Sequence, residues 1–479
     1  MREDSVSRSV DPRWFRLALI AVPLLLAVIS AHPYAGSWND GSRLATVEAI
    51  VDYGTLAMDQ SVFVKVPQDL IDQGIPPYPL DNSLLLQHGT SDKVQIDGHF
   101  YSDKPAVISY LMAVPYQIWR WVGGPSFRER PDLVCYFLTL FTSGLAYVLS
   151  IWGLYQLTIK MGLRSDLRMA LVGCLAFSTI TLPYLRHVNN HILLMAVMMG
   201  ILNLIHSPLR GWQLLKLGTL LGIGYNLDLG LGPVLLAGVL GLLLYRTRSL
   251  YRTGAVCIMA MPWVAAQLGI NYALGGVWKP INTVPEYLAW EGSPFTAQNL
   301  TGFLRHDPGR LAVYSLALMF GKHGFIGHNL PLFLLLPALF FLLRRSQPRL
   351  PEILFSLIYC LGGWGMYSLF SNNYGGASCS VRWFVPFLAP GFYILAEFLK
   401  QHPEYRWDLY ALGCWGAVMG TIMWIGGPWI IKMIPMYWPV QGAGLLTWIG
   451  VRRWRWKVEA RTMLKYASQP SSGGYSKAA

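Results

Sequence analysis

The segment WFRLALIAVPLLLAVISAHPYAGSWNDGSRLA (residues 14–45) places a long apolar run directly before a stretch that carries Asp40 and Arg43. A run of this length is sufficient to cross a bilayer as one helix. Basic residues precede it, but no small-residue cleavage site is evident before Pro33 and Tyr34, so we interpret it as a retained membrane helix and not as a signal peptide. The sequence therefore predicts a crossing that brings an acid and a base to the membrane surface.

The composition extends this interpretation to the whole chain. Of its 479 residues, 53% are hydrophobic and only 13% are charged, and the mean hydropathy is +0.38, which is too high for a soluble enzyme. The 19 Trp and 25 Tyr are typical of aromatic belts at membrane interfaces. The net charge of +13 does not indicate nucleic-acid binding, because most basic residues lie in short loops, and the six cysteines show no disulfide or zinc spacing. The predicted fold class is an all-α polytopic membrane protein.

Apolar segments along the chain predict about 12 (11–13) transmembrane helices. The predicted crossings are residues 14–31, 133–157, 168–185, 190–206, 216–228, 230–245, 253–272, 326–343, 352–370, 382–400, 408–428 and 429–450. Residues 105–124 are also apolar, but we predict that they form a juxtamembrane helix in the interface. A further crossing there would place the basic loop 158–168 on the outer side of the membrane, whereas basic loops are expected on the cytoplasmic side.

Charge predicts the orientation, since loops rich in Lys and Arg stay in the cytoplasm. The strongly basic segments are residues 158–168, 246–252, 344–349 and the tail 451–479. Residues 32–104 instead hold ten acidic and four basic residues, so we expect this segment on the outer side of the membrane. Both termini are then cytoplasmic.

The predicted organisation is a single transmembrane domain over residues 1–450, followed by the basic cytoplasmic tail 451–479, whose end is predicted to be disordered. The outer face carries a long first loop with juxtamembrane helices (32–132) and a second loop (273–325). The chemistry is expected on this face, because polar clusters gather there at the ends of crossings.

Asp40 is the first candidate for chemistry on the outer face. Apolar residues recur at helical spacing over 44–51, which predicts an amphipathic helix whose N-terminus carries Asp40. An Asp at that position can simply cap the helix. Together with Arg43, one turn further on, it can also form a polar site. Glu48 and Asp52 are interpreted as surface charges.

Other candidates lie at the ends of predicted outer-face segments. They are His99, Asp103 and Lys104 in the first loop, Arg186 and His191 in RHVNNH, Lys322 and His323 in GKHG, and Tyr374 and Arg382 in a glycine-rich loop. Asp228 is a further candidate for substrate contact. A lone cation at a helix end is usually structural, but several on one face indicate an anionic ligand. No P-loop, GxSxG or HExxH motif is present, so ATP, serine-hydrolase and metalloprotease chemistry are not indicated.

Four motifs in this order resemble the GT-C superfamily of integral-membrane glycosyltransferases. NDGSRLA (39–45) matches a motif after the first crossing, and YSDKPA (101–106) matches a Lys-Pro motif. GKHGFIGHNLP (321–331) and NNYGGASCSVRWFVP (372–386) match two later ones. The branch they resemble contains the bacterial relatives of protein O-mannosyltransferases and the lipid A aminoarabinose transferases.

The resemblance implies a GT-C fold and an inverting sugar transfer on the outer face. The donor would be a sugar on a polyprenyl phosphate, and the acceptor a hydroxyl of a lipid, a glycan or a protein. Asp40 would be the general base. Lys104, Arg382 and either Arg186 or Lys322 would bind the donor phosphate, and Arg43 would either orient Asp40 or bind the same phosphate. The implied location is a bacterial plasma (inner) membrane. A divalent metal (Mg or Mn) stays open, with Asp40 as its candidate ligand, because this chain has RHVNNH where relatives often carry a second acid.

Two other functions fit parts of the same pattern. A transporter or flippase of a lipid-linked sugar would place ionisable groups near mid-membrane and often shows internal repeats. This chain shows few mid-helix charges and no repeat. A polysaccharide polymerase or ligase would also work on lipid-linked sugars from outside, but with a diphosphate-linked donor.

Overall fold

The fold is described from a computed structural model that covers residues 11–296, 307–344, 347–430 and 432–467. These residues are mostly helical, as the sequence predicts. The end of the basic tail, predicted to be disordered, lies outside the described residues. The all-α prediction needs one addition, a short two-stranded hairpin in the first loop.

The N-terminal quarter contains one long apolar helix and a compact group of short elements. Their bounds are α1 (Arg13–Ser30), α2 (Trp38–Asp52), α3 (Gln68–Asp72), α4 (Ser83–His88), β1 (Lys93–Ile96), β2 (His99–Ser102) and α5 (Ala106–Trp121). Helix α2 starts at Ser37, whose hydroxyl accepts a hydrogen bond from the Asn39 amide at 3.2 Å. This is the N-cap chemistry expected of a serine before a helix.

The hairpin is set by its turn. Asp97 and Gly98 have φ angles of 51° and 84°, and a type I′ turn needs positive φ at both central positions. The resulting register pairs Lys93 with Ser102. Asp92 and Asp103 follow directly outside this pair, so the hairpin brings two acids of separate strands together.

The rest of the described chain is helical. The remaining helices are α6 (Pro131–Thr139), α7 (Leu145–Met161), α8 (Ser165–Phe177), α9 (Thr181–Tyr184), α10 (Asn190–Ile205), α11 (Trp212–Leu227), α12 (Leu231–Thr247), α13 (Leu250–Gly275), α14 (Pro285–Leu288), α15 (Pro308–Phe320), α16 (Phe325–His328), α17 (Leu335–Leu343), α18 (Leu350–Phe370), α19 (Leu388–Gln401), α20 (Arg406–Gly426) and α21 (Tyr437–Ala467). A π-helical turn joins α6 to α7, and 3₁₀ turns precede α17 and α19.

Several of these helices can cross a membrane. In the described ranges, six are long and apolar enough to do so, and a bent pair would make seven. In α1 and α13 only 22% of the most apolar window is buried, so their apolar side chains are free to face lipid. Other predicted crossings form helices of 13 to 17 residues, namely α8, α10, α11 and α12. The count of about 12 stays a prediction.

The predicted crossing 326–343 is in fact the second arm of a sharply bent pair. Residues Pro308–His328 and Leu330–Leu343 meet at 110°, and α15 lies inside the segment predicted as the second outer loop. Asn329 stabilises the bend, because its side-chain amide donates to the Phe325 carbonyl at 2.7 Å and its oxygen accepts from the Ile180 amide at 2.9 Å. Pro331 follows, and it has no amide hydrogen to continue a helical ladder.

The last helix also differs from the sequence interpretation. α21 begins at Tyr437, not 429, and runs without a break into the predicted tail as far as Ala467. Asp408 of α20 anchors it, since its carboxylate accepts from the Trp448 indole at 2.8 Å and lies 3.2 Å from Arg455. The first part of the basic tail is therefore packed helix.

Helix α2 is the element that carries Asp40 and Arg43. It is buried from Asn39 to Ala49 on all sides, so the predicted helix is present but is not amphipathic. The interpretation of Glu48 as a surface charge is also wrong, because its carboxylate accepts from the Ser61 hydroxyl at 2.6 Å and the Val62 amide at 3.1 Å. The loop after α2 folds back over it, a contact that helical periodicity does not reveal.

Candidate functional site

Asp40 is a fully enclosed carboxylate. One oxygen accepts from the Gly36 amide at 2.7 Å, and the other accepts from the Ser37 hydroxyl at 2.5 Å. The ring nitrogen Nδ1 of His187 lies 3.6 Å from Oδ2. Burial raises the pKa of Asp40 to about 6, although the hydrogen bonds from Ser37 and Gly36 act in the opposite direction. The carboxylate is therefore poised to exchange a proton near neutral pH.

His187 belongs to the polar RHVNNH cluster recognised in the sequence, but no role was predicted for it. Its ring stacks on that of His32 at 4.9 Å, and its Nδ1 lies 3.3 Å from the Tyr34 carbonyl oxygen. Burial lowers the pKa of His187, and the neighbouring His32 and Arg186 lower it further. The ring next to Asp40 is therefore neutral.

Arg186 has structural partners in this arrangement. Its Nε donates to Nε2 of His32 at 2.6 Å, and its Nη1 donates to the Trp424 carbonyl at 2.6 Å. These bonds tie the segment after α1 to the C-terminal end of α20. The predicted role of Arg186 in donor binding stays a prediction.

Arg43 is a buried cation with unused donors. Its side chain is on the next turn of α2 from Asp40, but the two groups do not form an ion pair in the described residues. The residue is 2% exposed, and its Nε and Nη1 have no hydrogen-bond partner among the described residues. Burial lowers the pKa of Arg43 to about 10. The negative charge of Asp103 acts to raise this pKa, and the positive charge of the nearby Arg382 lowers it further.

Arg382 enters the site from the glycine-rich loop before α19. Gly375 and Gly376 have φ angles of 93° and 78°, and a Cβ at Gly375 would lie 2.8 Å from Cγ of Arg382. Glycine is therefore required there, both for the turn and for the approach of the arginine. The guanidinium lies 5.6 Å from the ring of Trp429, and its Nε has no partner among the residues described.

Trp429 lies between the ring of His187 and the guanidinium of Arg382. Its ring is 6.3 Å from that of His187, and its indole nitrogen is buried with no hydrogen-bond partner in the described part of the chain. A Cβ at Gly36 would lie 2.6 Å from that indole nitrogen. The indole therefore covers the backbone next to Asp40 on one side and contacts Arg382 on the other.

Lys104 is not a free cation. Its ammonium lies 2.8 Å from Oδ2 of Asp92 and 2.6 Å from Oδ2 of Asp103. The three charges sum to −1. Oδ1 of Asp103 is buried without a hydrogen-bond partner among the described residues, and burial raises the pKa of that carboxyl. The sequence did not single out Asp92, although the hairpin register explains its place.

Replacing Lys104 with Met is expected to destabilise the protein. The carboxylates of Asp92 and Asp103, 13% and 11% exposed, would then face each other without a cation. Removing one side of a buried ion pair costs on the order of 3 kcal/mol, so the melting temperature should fall by several degrees. The loss should be smaller at acidic pH, because burial raises the pKa of Asp103 and protonation of that carboxyl removes the repulsion. Melting curves followed by tryptophan fluorescence test this, and Lys65→Met, at an exposed lysine, is the control. Equal melting temperatures for the two variants would contradict the ion-pair role.

His191 and Asp228 form a second buried pair. Nδ1 of His191 lies 3.3 Å from Oδ2 of Asp228. Oδ1 of Asp228 accepts from the amides of Gly230 and Leu231 at 2.9 and 3.1 Å, and the Tyr367 hydroxyl donates to it at 3.1 Å. Asp228 therefore caps α12, and its charge also acts on Arg43.

The remaining predicted residues have other surroundings. His99 is exposed and lies 3.1 Å from Asp59, and Lys322 is exposed. His323 is buried, and its ring packs 5.1 Å from that of Tyr374. No contact between these four residues and Asp40 or Arg43 occurs in the described ranges. Their roles stay predictions.

The residues around Asp40 do not fit a magnesium or manganese ion. Both metals prefer several oxygen ligands. Asp40 instead faces an amide hydrogen, a hydroxyl that donates to it, and a histidine. Across the residues described, no group of three or more His, Cys, Asp or Glu side chains is placed to hold a metal.

The chain was compared with known proteins. No family model and no curated protein matches it. Its structure is similar to that of ArnT from Cupriavidus metallidurans bound to undecaprenyl phosphate, with a TM-score of 0.47 and 13% identity, covering 91% of this chain and 76% of that one. It is also similar to the archaeal oligosaccharyltransferase AglB from Archaeoglobus fulgidus in complex with an inhibitory peptide and a dolichol-phosphate, with a TM-score of 0.43 and 12% identity, covering 90% of this chain and 56% of that one.

Proposed function

We propose that this protein is a membrane glycosyltransferase that moves a sugar from a polyprenyl-phosphate donor to an acceptor hydroxyl, with Asp40 as general base. One observation carries the proposal. A buried carboxylate whose pKa is about 6 stands one helical turn from a buried arginine whose Nε and Nη1 have no hydrogen-bond partner among the described residues. The transfer needs a base and an anion site next to each other, so this arrangement supports the proposal. The sequence motifs quoted above point to the same reaction.

The reaction assigned to Asp40 is a single displacement. The acceptor oxygen forms a bond to the anomeric carbon while Asp40 takes its proton, and the bond from that carbon to the phosphate oxygen breaks. Attack from the side opposite the phosphate inverts the anomeric carbon. A base with a pKa near 6 is mostly ionised at neutral pH and still accepts a proton, which suits general-base catalysis. The Gly36 amide and the Ser37 hydroxyl hold its orientation.

The leaving polyprenyl phosphate gains negative charge and needs donors that are already in place. Arg43 and Arg382 suit this role, because both keep N–H groups without partners among the described residues. A guanidinium also matches a phosphate with two parallel hydrogen bonds. Lys104 suits it less than the sequence suggests, since Asp92 and Asp103 neutralise it. We therefore assign the donor phosphate to the two arginines.

Access to Asp40 requires a movement, because the carboxylate is fully enclosed. We assign this movement to Trp429, whose indole covers Gly36 and has no hydrogen bond to break among the described residues. Its position next to Arg382 would couple opening at the base to arrival of the donor phosphate.

The test is sugar transfer by the purified protein in detergent, with a labelled polyprenyl-phosphate sugar and a panel of lipid, glycan and peptide acceptors. Labelled product in the absence of a second compartment would support the proposal and is not expected of a transporter. A polyprenyl-diphosphate sugar serves as the comparison donor. Product from the diphosphate donor alone would overturn the proposal in favour of a polymerase or ligase.

The rate of transfer is expected to depend on pH through Asp40. A general base works in its ionised form, so kcat/KM should fall about tenfold per pH unit below about pH 6 and level off above it. The matching measurement is kcat/KM between about pH 4.5 and 8, with melting curves at each pH to exclude unfolding. A profile that is flat through pH 6 would contradict the assignment of the base.

A further inference from the structure

A second feature of the molecule is a cavity of about 330 Å³ among the ends of three helices. It lies where α10 and α12 end and α13 begins. α10 starts next to His191, and α12 starts next to Asp228. Helices of 16 and 17 residues rise about 24–26 Å, so the cavity is at the opposite end of the bundle from these residues.

The cavity combines apolar walls with a cationic rim. Leu217, Val239, Leu242 and Leu243 are buried and form the walls. The rim is polar and comprises Ser207, Arg246, Thr247 and Arg252. No acidic residue lines it, so the rim is complementary to an anion that carries an apolar chain. A soluble anion would leave the leucine walls in contact with water.

The two arginines differ in how they are held. Nη1 of Arg246 donates to the Ile205 carbonyl at 2.9 Å and lies 2.9 Å from the Glu352 carboxylate. Glu352 is 1% exposed and also pairs with Arg349 at 3.1 Å, so one acid faces two cations and a positive charge remains. The guanidinium of Arg252 is exposed and has no partner in the described part of the chain. Arg246 is therefore fixed at the rim, and Arg252 is free to close on a ligand.

We propose that this cavity binds an anionic phospholipid, with its phosphate between Arg246 and Arg252 and the first methylenes of an acyl chain against the leucines. The volume is at the lower end of the range of about 300–1,000 Å³ for ligand cavities, which suits a head group and part of one chain. Leu250 and Tyr251, 78% and 84% exposed, extend the apolar surface beside the rim. The site is independent of the proposed sugar transfer.

The test uses the full chain in nanodiscs that contain equal amounts of dioleoyl-phosphatidylglycerol and dioleoyl-phosphatidylcholine. Native mass spectrometry after mild release then counts the lipids that stay bound. Phosphatidylglycerol should be retained at least about fivefold over phosphatidylcholine, the contribution expected of one cation near a lipid phosphate. Arg252→Gln should abolish most of this preference. Arg248→Gln is the matched control, since Arg248 lies in the same basic loop but packs on the Tyr245 ring and does not line the cavity.

A third variant tests the cavity itself. Leu242→Trp fills the space without changing any charge and should lower retention of phosphatidylglycerol by a similar factor. Melting curves confirm that each variant is folded. Equal retention of the two lipids by the wild-type protein would overturn the proposal. Equal losses in Arg248→Gln and Arg252→Gln would show general surface charge and would also overturn it, as would unchanged retention in Leu242→Trp.

Discussion

Replacing Asp40 with Asn is expected to lower the rate of sugar transfer ~10²- to 10⁴-fold, the usual contribution of a general base. The protein should stay folded, because an amide fits the same hydrogen bonds. Its oxygen can accept from the Gly36 amide, and its NH₂ can donate to the Ser37 hydroxyl, which then turns away. Initial rates with a labelled polyprenyl-phosphate sugar, together with melting curves, measure both effects.

The matched control is Glu48→Gln on the same helix. Glu48 is also buried, and burial raises its pKa to about 8, so at neutral pH it is mostly protonated and resembles Gln. A glutamine oxygen can still accept from Ser61 and Val62. We expect transfer within about threefold of wild type, since no proton-transfer role is removed. A loss as large as that of Asp40→Asn would show that α2 tolerates no change and would contradict a special role for Asp40.

Features that depend on a few neighbouring residues could be predicted from the sequence. The Asp97-Gly98 turn is one example, because two residues that tolerate positive φ are enough to define it. The apolar run of α1 is another, since length and hydropathy alone predict a crossing. Motif order drew attention to Asp40 and Arg43, and the structure finds both buried on one helix.

Features that depend on distant contacts could not be predicted. The charges of Lys104 and Glu48 are plain in the sequence, but their roles follow from partners that only the folded chain supplies. His187 reaches Asp40 through packing between segments that are far apart in the chain. The bend at Asn329 rests on side-chain hydrogen bonds, which hydropathy does not record. The sequence thus shows that an ionisable side chain is present in a membrane protein. Its function depends on the neighbouring residues, which only the folded structure shows.

Arg43→Met is expected to separate activity from stability. Transfer should fall ~10²- to 10³-fold, as for the loss of a donor that binds developing charge. The melting temperature should stay the same or rise, because burying N–H groups without partners costs about 1–3 kcal/mol, and Met removes them at similar volume. Added polyprenyl phosphate should raise the melting temperature of the wild type and leave that of the variant unchanged.

The control is Arg120→Met, for which we expect the opposite result, a lower melting temperature with little change in transfer. Arg120 lies 3.5 Å from Asp52 and donates to the Gly124 carbonyl at 2.9 Å, so its role is structural. Its loss should lower the melting temperature and leave transfer close to wild type. Arg43→Lys, which keeps the charge but not the paired N–H groups, should recover part of the activity. Full transfer and normal lipid stabilisation in Arg43→Met would contradict the assignment of the donor phosphate. Nε and Nη1 of Arg43, which lack partners among the described residues, are the groups that the donor phosphate would use.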